Sequence, residues 1–258
     1  PILYDFFVDT PPRTGKEELD FFGVDINFGD SSQTFHIGRG SAGVPGTLLG
    51  LVIVQEQFGK LPLSVVMEPA IKLAREGCPL NEKQAYIFKL LEPIFSHTRE
   101  GQSLFCKNGK ILSTGELFVN TDFADFLERV SWEGAASFYL GEVAELIAQN
   151  FGDSGLLDEK ALSQYHVAVR KPVMNTFMET QVYSNPAPST GGTLIIFLLR
   201  LLEEGKIQNL KDSDIVRAMA VTNTARKEVC TDPNQEYQIN QLLEKKIFNG
   251  YLEKLLSE

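Results

Sequence analysis

Strand-like and helix-like segments follow one another along this chain without a regular βαβ period, and that irregularity restricts the fold more than any bulk property. The runs Ile2–Val8, Val24–Phe28, Thr34–Ile37, His166–Arg170 and Phe177–Tyr183 are rich in β-branched and aromatic residues, and Pro11-Pro12 stops the first. Helical patterns lie between and after them. Thr47 caps one that runs to Phe58, Ser64 caps Val65–Glu76 before Gly77, and Asn81 caps a helix toward Leu91, broken at Pro93. Others occupy roughly 121–133, 141–151, Thr193–Leu202, 212–229 and 238–256, and Asp158 caps a short turn. Asn108-Gly109, between Phe105–Lys107 and Lys110–Leu112, predicts a hairpin. The run Gly40-Ser41-Ala42-Gly43-Val44-Pro45-Gly46 admits tight backbone approach and positive φ. The expected fold class is α+β, in layers rather than a doubly wound sheet, as a single domain over residues 1–258.

Composition excludes several functions. The chain has 258 residues, with 24 Lys+Arg against 34 Asp+Glu, a formal charge of -10. Nucleic-acid binding is not expected, because phosphate contacts need clustered cations. No apolar run approaches the ~18 residues that span a bilayer, so no membrane span is expected. The three cysteines, Cys78, Cys106 and Cys230, form neither a disulfide framework nor a CxxC zinc spacing. His36, His97 and His166 each lack a second ligand at helical spacing, so no metal site is expected. No GxGxxG, P-loop or GxSxG motif occurs, and no cofactor is implied. Residue 1 is Pro, so the sequence reads as trimmed at its front and leaves export undecided.

Two runs carry more than composition. The first is Gly43-Val44-Pro45-Gly46-Thr47-Leu48-Leu49-Gly50-Leu51, followed by Phe58-Gly59-Lys60-Leu61-Pro62 and the helix Glu68-Pro69-Ala70-Ile71-Lys72-Leu73-Ala74-Arg75-Glu76-Gly77. The second is Val182-Tyr183-Ser184-Asn185-Pro186-Ala187-Pro188-Ser189-Thr190-Gly191-Gly192. Together they resemble the large subunit of the γ-glutamyltranspeptidases. Asn108-Gly109-Lys110, Phe138-Tyr139-x-Gly141-Glu142, Tyr165-x-Val167-x-Val169-Arg170-Lys171-Pro172 and Asp232-Pro233 match further landmarks of that family in order.

The resemblance implies the large-subunit portion of an αββα N-terminal-nucleophile hydrolase sandwich. It implies a γ-glutamyltransferase or glutathione hydrolase whose nucleophile is the N-terminal Thr of a separate small subunit. A freed α-amine titrates near ~7.7–8.0 and can act as that hydroxyl's base. No catalytic residue is therefore expected here. Thr222, Thr224 and Thr231 fall within or just after a predicted helix and do not match the processing site. The chain alone is expected to be inactive and, lacking its small-subunit partner, to associate with itself. Relatives are often exported, so periplasmic or extracellular placement is the family expectation.

Specificity departs from the family. Typical members carry Asp-Phe-Arg-Glu-x-Ala-Pro on the opening strand, and that Arg holds the α-carboxylate of the glutamyl group. Here the segment reads Asp5-Phe6-Phe7-Val8-Asp9-Thr10-Pro11-Pro12. Phe7 or Val8 takes the Arg position, Asp9 takes the Glu position, and Arg13 follows in the loop. These four are the candidate substrate-binding residues. The alternatives are an N-terminal-nucleophile acylase of another acyl class and a non-catalytic homologue. Ser189–Gly192 reads as a turn that initiates a helix rather than an oxyanion hole.

Overall fold

The structure, a computed structural model, describes residues 1–12, 18–205, 210–232 and 238–257. In chain order it begins β1 (Leu3–Asp5), β2 (Phe22–Asn27), β3 (Ser32–Ile37), α1 (Thr47–Phe58), α2 (Leu63–Glu76) and β4 (Cys78–Pro79). The middle holds α3 (Glu82–Leu90), α4 (Glu92–Phe95), α5 (Arg99–Phe105), β5 (Cys106–Lys107), β6 (Lys110–Ile111), β7 (Leu117–Phe118), α6 (Thr121–Glu133) and α7 (Ala136–Tyr139). Then come α8 (Glu142–Phe151), α9 (Glu159–Gln164), β8 (Ala168–Arg170), β9 (Val173–Phe177), β10 (Thr180–Ser184), α10 (Thr190–Glu204), α11 (Asp212–Val229) and α12 (Lys245–Ser257). The named strands form two-stranded antiparallel ladders: β1 with β8, β2 with β3, β4 with β7, β5 with β6 and β9 with β10. The chain divides into two compact units, residues 6–167 and residues 1–5 with 168–258.

Within residues 6–167 local chemistry sets most boundaries. Asn81 caps α3 as expected: its Oδ1 accepts from Gln84 N at 2.9 Å while Gln84 Oε1 accepts from Asn81 N at 3.0 Å. Asn108 and Gly109 adopt φ of 52° and 74° and close the β5–β6 hairpin, also as expected. Other boundaries shift. Thr47 is the first helical residue of α1, not its cap. α2 begins before Ser64, because Pro62 O already accepts from Val65 N and Val66 N. Pro93 does more than end α3: it sits in the first turn of α4, where a missing N–H costs nothing.

Three apolar clusters hold this unit. Val52, Val130, Ala135 and Tyr139 form one, and Val44, Ala144, Leu157, Ala161 and Leu162 another. The third joins Leu80, Ala85 and Leu112 to Phe88, whose ring meets Phe95, Phe105 and Phe118 edge-on at 5.5, 5.4 and 5.6 Å.

In the other unit, β1 pairs with β8 in the register Leu3↔Arg170, and Arg170 Nε donates to Asp5 Oδ2 at 2.7 Å. β1 is shorter than the expected Ile2–Val8, because its ladder ends at Asp5 opposite Ala168, the first residue of β8, and Asp9 pairs with Val44 instead. The strands read as 166–170 and 177–183 prove to be β8 plus a complete hairpin, β9–β10. α10 starts at Thr190, earlier than the expected Thr193, and buries Ile196, Phe197, Leu201 and Leu202. Its core partners are Ala218, Val221 and Ala225 of α11 and Phe248, Tyr251 and Leu255 of α12. The expected helix 238–256 is split into a 3-10 segment, Gln238–Leu243, and α12. Phe197 and Phe248 meet edge-to-face at 5.6 Å, and the Arg200 guanidinium lies 3.7 Å above the Phe248 ring.

Candidate functional site

The segment after β1 is fixed through its backbone. Asp9 N donates to Val44 O at 3.1 Å and Val44 N to Asp9 O at 2.8 Å, an isolated bridge. Tyr165 Oη donates to Phe7 O at 2.8 Å. The Tyr165 ring stacks on Tyr139 with centroids 5.8 Å apart and planes 18° apart, and Tyr139 Oη donates to Pro45 O. Burial pushes the Tyr139 phenol up from its ordinary pKa, opposed in part by a hydrogen bond from the Leu49 backbone.

These contacts explain the small residues ahead of α1. A Cβ at Gly46 would collide with the Tyr165 hydroxyl and the Phe6 carbonyl. One at Gly50 would fall inside the Phe6 ring. Gly46 has φ of -108°, so close approach and not handedness excludes a side chain there. Three sequence landmarks, Gly43–Gly50, Phe138–Glu142 and Tyr165, thus meet at the segment that carries Phe7, Val8 and Asp9.

That segment presents apolar side chains outward. Phe7 is 80% exposed and Val8 48%. The Asp9 carboxylate accepts from Thr10 N at 2.8 Å, and no ion pair reaches it among the described residues. Arg13 lies outside the described residues. Tyr139 and Tyr165 lie within the segments Phe138–Glu142 and Tyr165–Pro172, but their role as backbone clamps rests on contacts distant in sequence. The signal in the sequence is the place of these tyrosines beside Gly141 and the run Val167–Pro172.

In the other unit, Ser189 precedes α10 and Thr190-Gly191-Gly192 form its first residues. The turn is held by Ser189 N donating to Pro186 O at 3.1 Å. Helix initiation accounts for the run. Thr222 and Thr224 lie inside α11 and Thr231 just beyond it, so their nitrogens are peptide amides and none offers an α-amine. Among the described residues no three His, Cys, Asp or Glu side chains gather as metal ligands. No described helix is long and apolar enough to cross a membrane.

The γ-glutamyltranspeptidase family model matches residues 15–258. The chain belongs to that family. A γ-glutamyltranspeptidase relative, the glutathione hydrolase proenzyme of Escherichia coli K12, is 32% identical over 229 residues, 85% of this chain and 39% of that protein. The capsule biosynthesis protein CapD proenzyme of Bacillus anthracis is 30% identical over 223 residues, 84% of this chain and 40% of that protein. The chain therefore spans about two fifths of the length of these curated relatives. The crystal structure of Helicobacter pylori γ-glutamyltranspeptidase superposes with a TM-score of 0.76 at 28% identity, covering 97% of this chain and 74% of that one. The fold is accordingly the α+β, N-terminal-nucleophile hydrolase arrangement expected from the sequence.

Proposed function

We propose that residues 1–258 form the large chain of a γ-glutamyltransferase or glutathione hydrolase, and that the nucleophilic Thr lies on a small chain outside these residues. The observation that carries this reading is the family match over 15–258, joined to the meeting of three family landmarks at one segment. Both curated relatives are proenzymes by name. The reaction passes an acyl group to the Thr hydroxyl as an ester and then to water or an amino acid. The α-amine of that Thr takes the hydroxyl proton and passes it to the donor's amine as the amide C–N bond breaks, and backbone amides stabilise the oxyanion. The test is to express the complete gene and sequence every chain that co-purifies. A second chain beginning with Thr, and turnover of a γ-glutamyl anilide by the pair, are expected. Absence of either contradicts the reading.

A second reading concerns the acyl group. Phe7 and Val8 are exposed apolar residues at the positions where relatives place the carboxylate-binding Arg, and Asp9 adds a like charge. A neutral or apolar acyl donor suits that surface better than a γ-glutamyl group. Two relatives with different printed activities stand at nearly equal identity, 32% and 30%, so similarity alone does not set the donor. Phe7→Arg in the complete enzyme is expected to raise kcat/KM for a γ-glutamyl anilide roughly tenfold, the scale of one charge-assisted pair. Tight cleavage of glutathione by the unaltered enzyme, undisturbed by Arg13→Ala, would refute the altered-donor reading.

A further inference from the structure

Side chains of an extended backbone point to alternate sides, and packing fixes which side each residue after β1 takes. The Phe6 ring lies against α1, where a Cβ on Gly50 would collide with it. Val8 lies against the glycine run, where a Cβ on Gly43 would collide with Val8 Cγ2. Phe6 and Val8 therefore face Gly43–Gly50, and Phe7 and Asp9 take the opposite side. Phe7 is accordingly 80% exposed against 48% for Val8. Of Phe7 and Val8, the two candidates for the family's Arg position, Phe7 is the one turned outward.

One hydroxyl holds that orientation. Residues 6–8 belong to no ladder: β1 ends at Asp5, and the bridge to Val44 begins at Asp9. At the centre of this gap Tyr165, just past α9, donates its hydroxyl to Phe7 O at 2.8 Å. The hydroxyl passes the bare backbone of Gly46, where a Cβ would collide with it. The Tyr165 ring is backed by the stacked ring of Tyr139, which is itself tied to Pro45 O. A phenol held on one side by a ring and on the other by bare backbone has little room to swing away.

We propose that Tyr165 is a positioning residue for the acyl donor: by holding the Phe7 carbonyl it keeps the Phe7 side chain, and not that of Val8, turned toward the donor. The inference rests on the donor reading above, which places the donor beside this segment. The nucleophile proposed for a second chain must reach the same donor, so a donor-facing side chain belongs on an outward face bordering that chain. Tyr165 acts through the backbone of Phe7 and touches no substrate. Removing one neutral hydrogen bond loosens that backbone without unfolding it.

A double-mutant cycle in the complete enzyme tests this, reading the ratio of kcat/KM for an apolar acyl anilide to that for a γ-glutamyl anilide. Tyr165→Phe keeps the ring on Tyr139 and removes only the hydroxyl. It is expected to lower the ratio about threefold, and Phe7→Ala about tenfold. In the Phe7→Ala background Tyr165→Phe should change the ratio no further. A purely structural role would slow both donors equally and leave the ratio fixed. Amide exchange gives a readout that needs no turnover: a peptide spanning residues 6–9 should exchange faster in Tyr165→Phe. Four results overturn the inference and leave the acyl transfer standing: unchanged exchange in that peptide, an unchanged ratio in Tyr165→Phe, the same change in the Phe7→Ala background, or a larger change from Val8→Ala than from Phe7→Ala. No turnover of either donor by the unaltered enzyme contradicts the acyl transfer itself, and this inference with it.

Discussion

Tyr251 couples burial to charge at a single side chain. Its hydroxyl donates to Glu228 Oε2 at 2.7 Å, and Lys254 Nζ reaches the same oxygen at 3.1 Å. Burial, and then the hydrogen bond to Glu228, push the phenol up to about 12. The folded state therefore prefers the neutral phenol, whereas the unfolded phenol titrates near 10. The contribution is complete below pH ~10 and is lost as pH rises toward 12. Urea denaturation at pH 8 to 12 should show falling stability, with a shallower fall in Tyr251→Phe and a remainder from Tyr139. An unchanged profile in Tyr251→Phe would contradict the assignment. The cysteines give a second residue-level expectation. Cys78 is exposed, while burial pushes the Cys230 thiol up, so maleimide at neutral pH should modify Cys78 well before Cys230, read by peptide mass mapping.

At the scale of elements, two packing contacts bear most directly on the fold. The Phe6 ring needs the bare backbone of α1 at Gly50, so Gly50→Ala should cost about 1–3 kcal/mol despite alanine's better helix propensity. Phe197 is fully buried among α10, α11 and α12, and Phe197→Ala should cost about 3–5 kcal/mol. Urea midpoints at constant m-value report both. The same elements show what a sequence displays. The caps at Asn81 and Asp158 and the Asn108-Gly109 turn were legible because donor, acceptor and backbone angle lie within a few residues. The β9–β10 hairpin was only half legible. Its turn is Met178-Glu179, with φ of 46° and 63°, and neither residue signals a left-handed backbone. The break between Leu243 and α12 carries no proline or glycine, and there Leu243 O accepts from Arg200 Nη1 at 3.1 Å, a partner 43 positions away. The tyrosine clamp joins Phe7 to Tyr165 across 158 positions, a pairing that local pattern cannot supply.

For the whole molecule, the named strands pair only two by two, and each unit carries large apolar side chains in the open. Phe7, Trp132 and Leu140 are 80%, 77% and 70% exposed in one unit, and Val169 and Met178 are 65% and 64% exposed in the other. Ladders of two strands leave unpaired edges and gain little stability alone. Purified by itself, the chain should associate, and light scattering should give a mass well above 28.7 kDa. A dispersed monomer would count against an interface with a second chain. The family landmarks were readable because their order along the chain is specific, whereas the donor preference proposed for Phe7–Asp9 depends on a surface that sequence only names. The most direct measurement is turnover of a γ-glutamyl anilide and of an apolar acyl anilide, by the 258-residue chain alone and after co-expression with the proposed Thr-led second chain. No turnover of either substrate alone, and activity in the pair that is lost on Thr→Ala at the new N-terminus, is expected. Turnover by the isolated chain, or activity in the pair that survives Thr→Ala, would show that the reactive hydroxyl lies elsewhere.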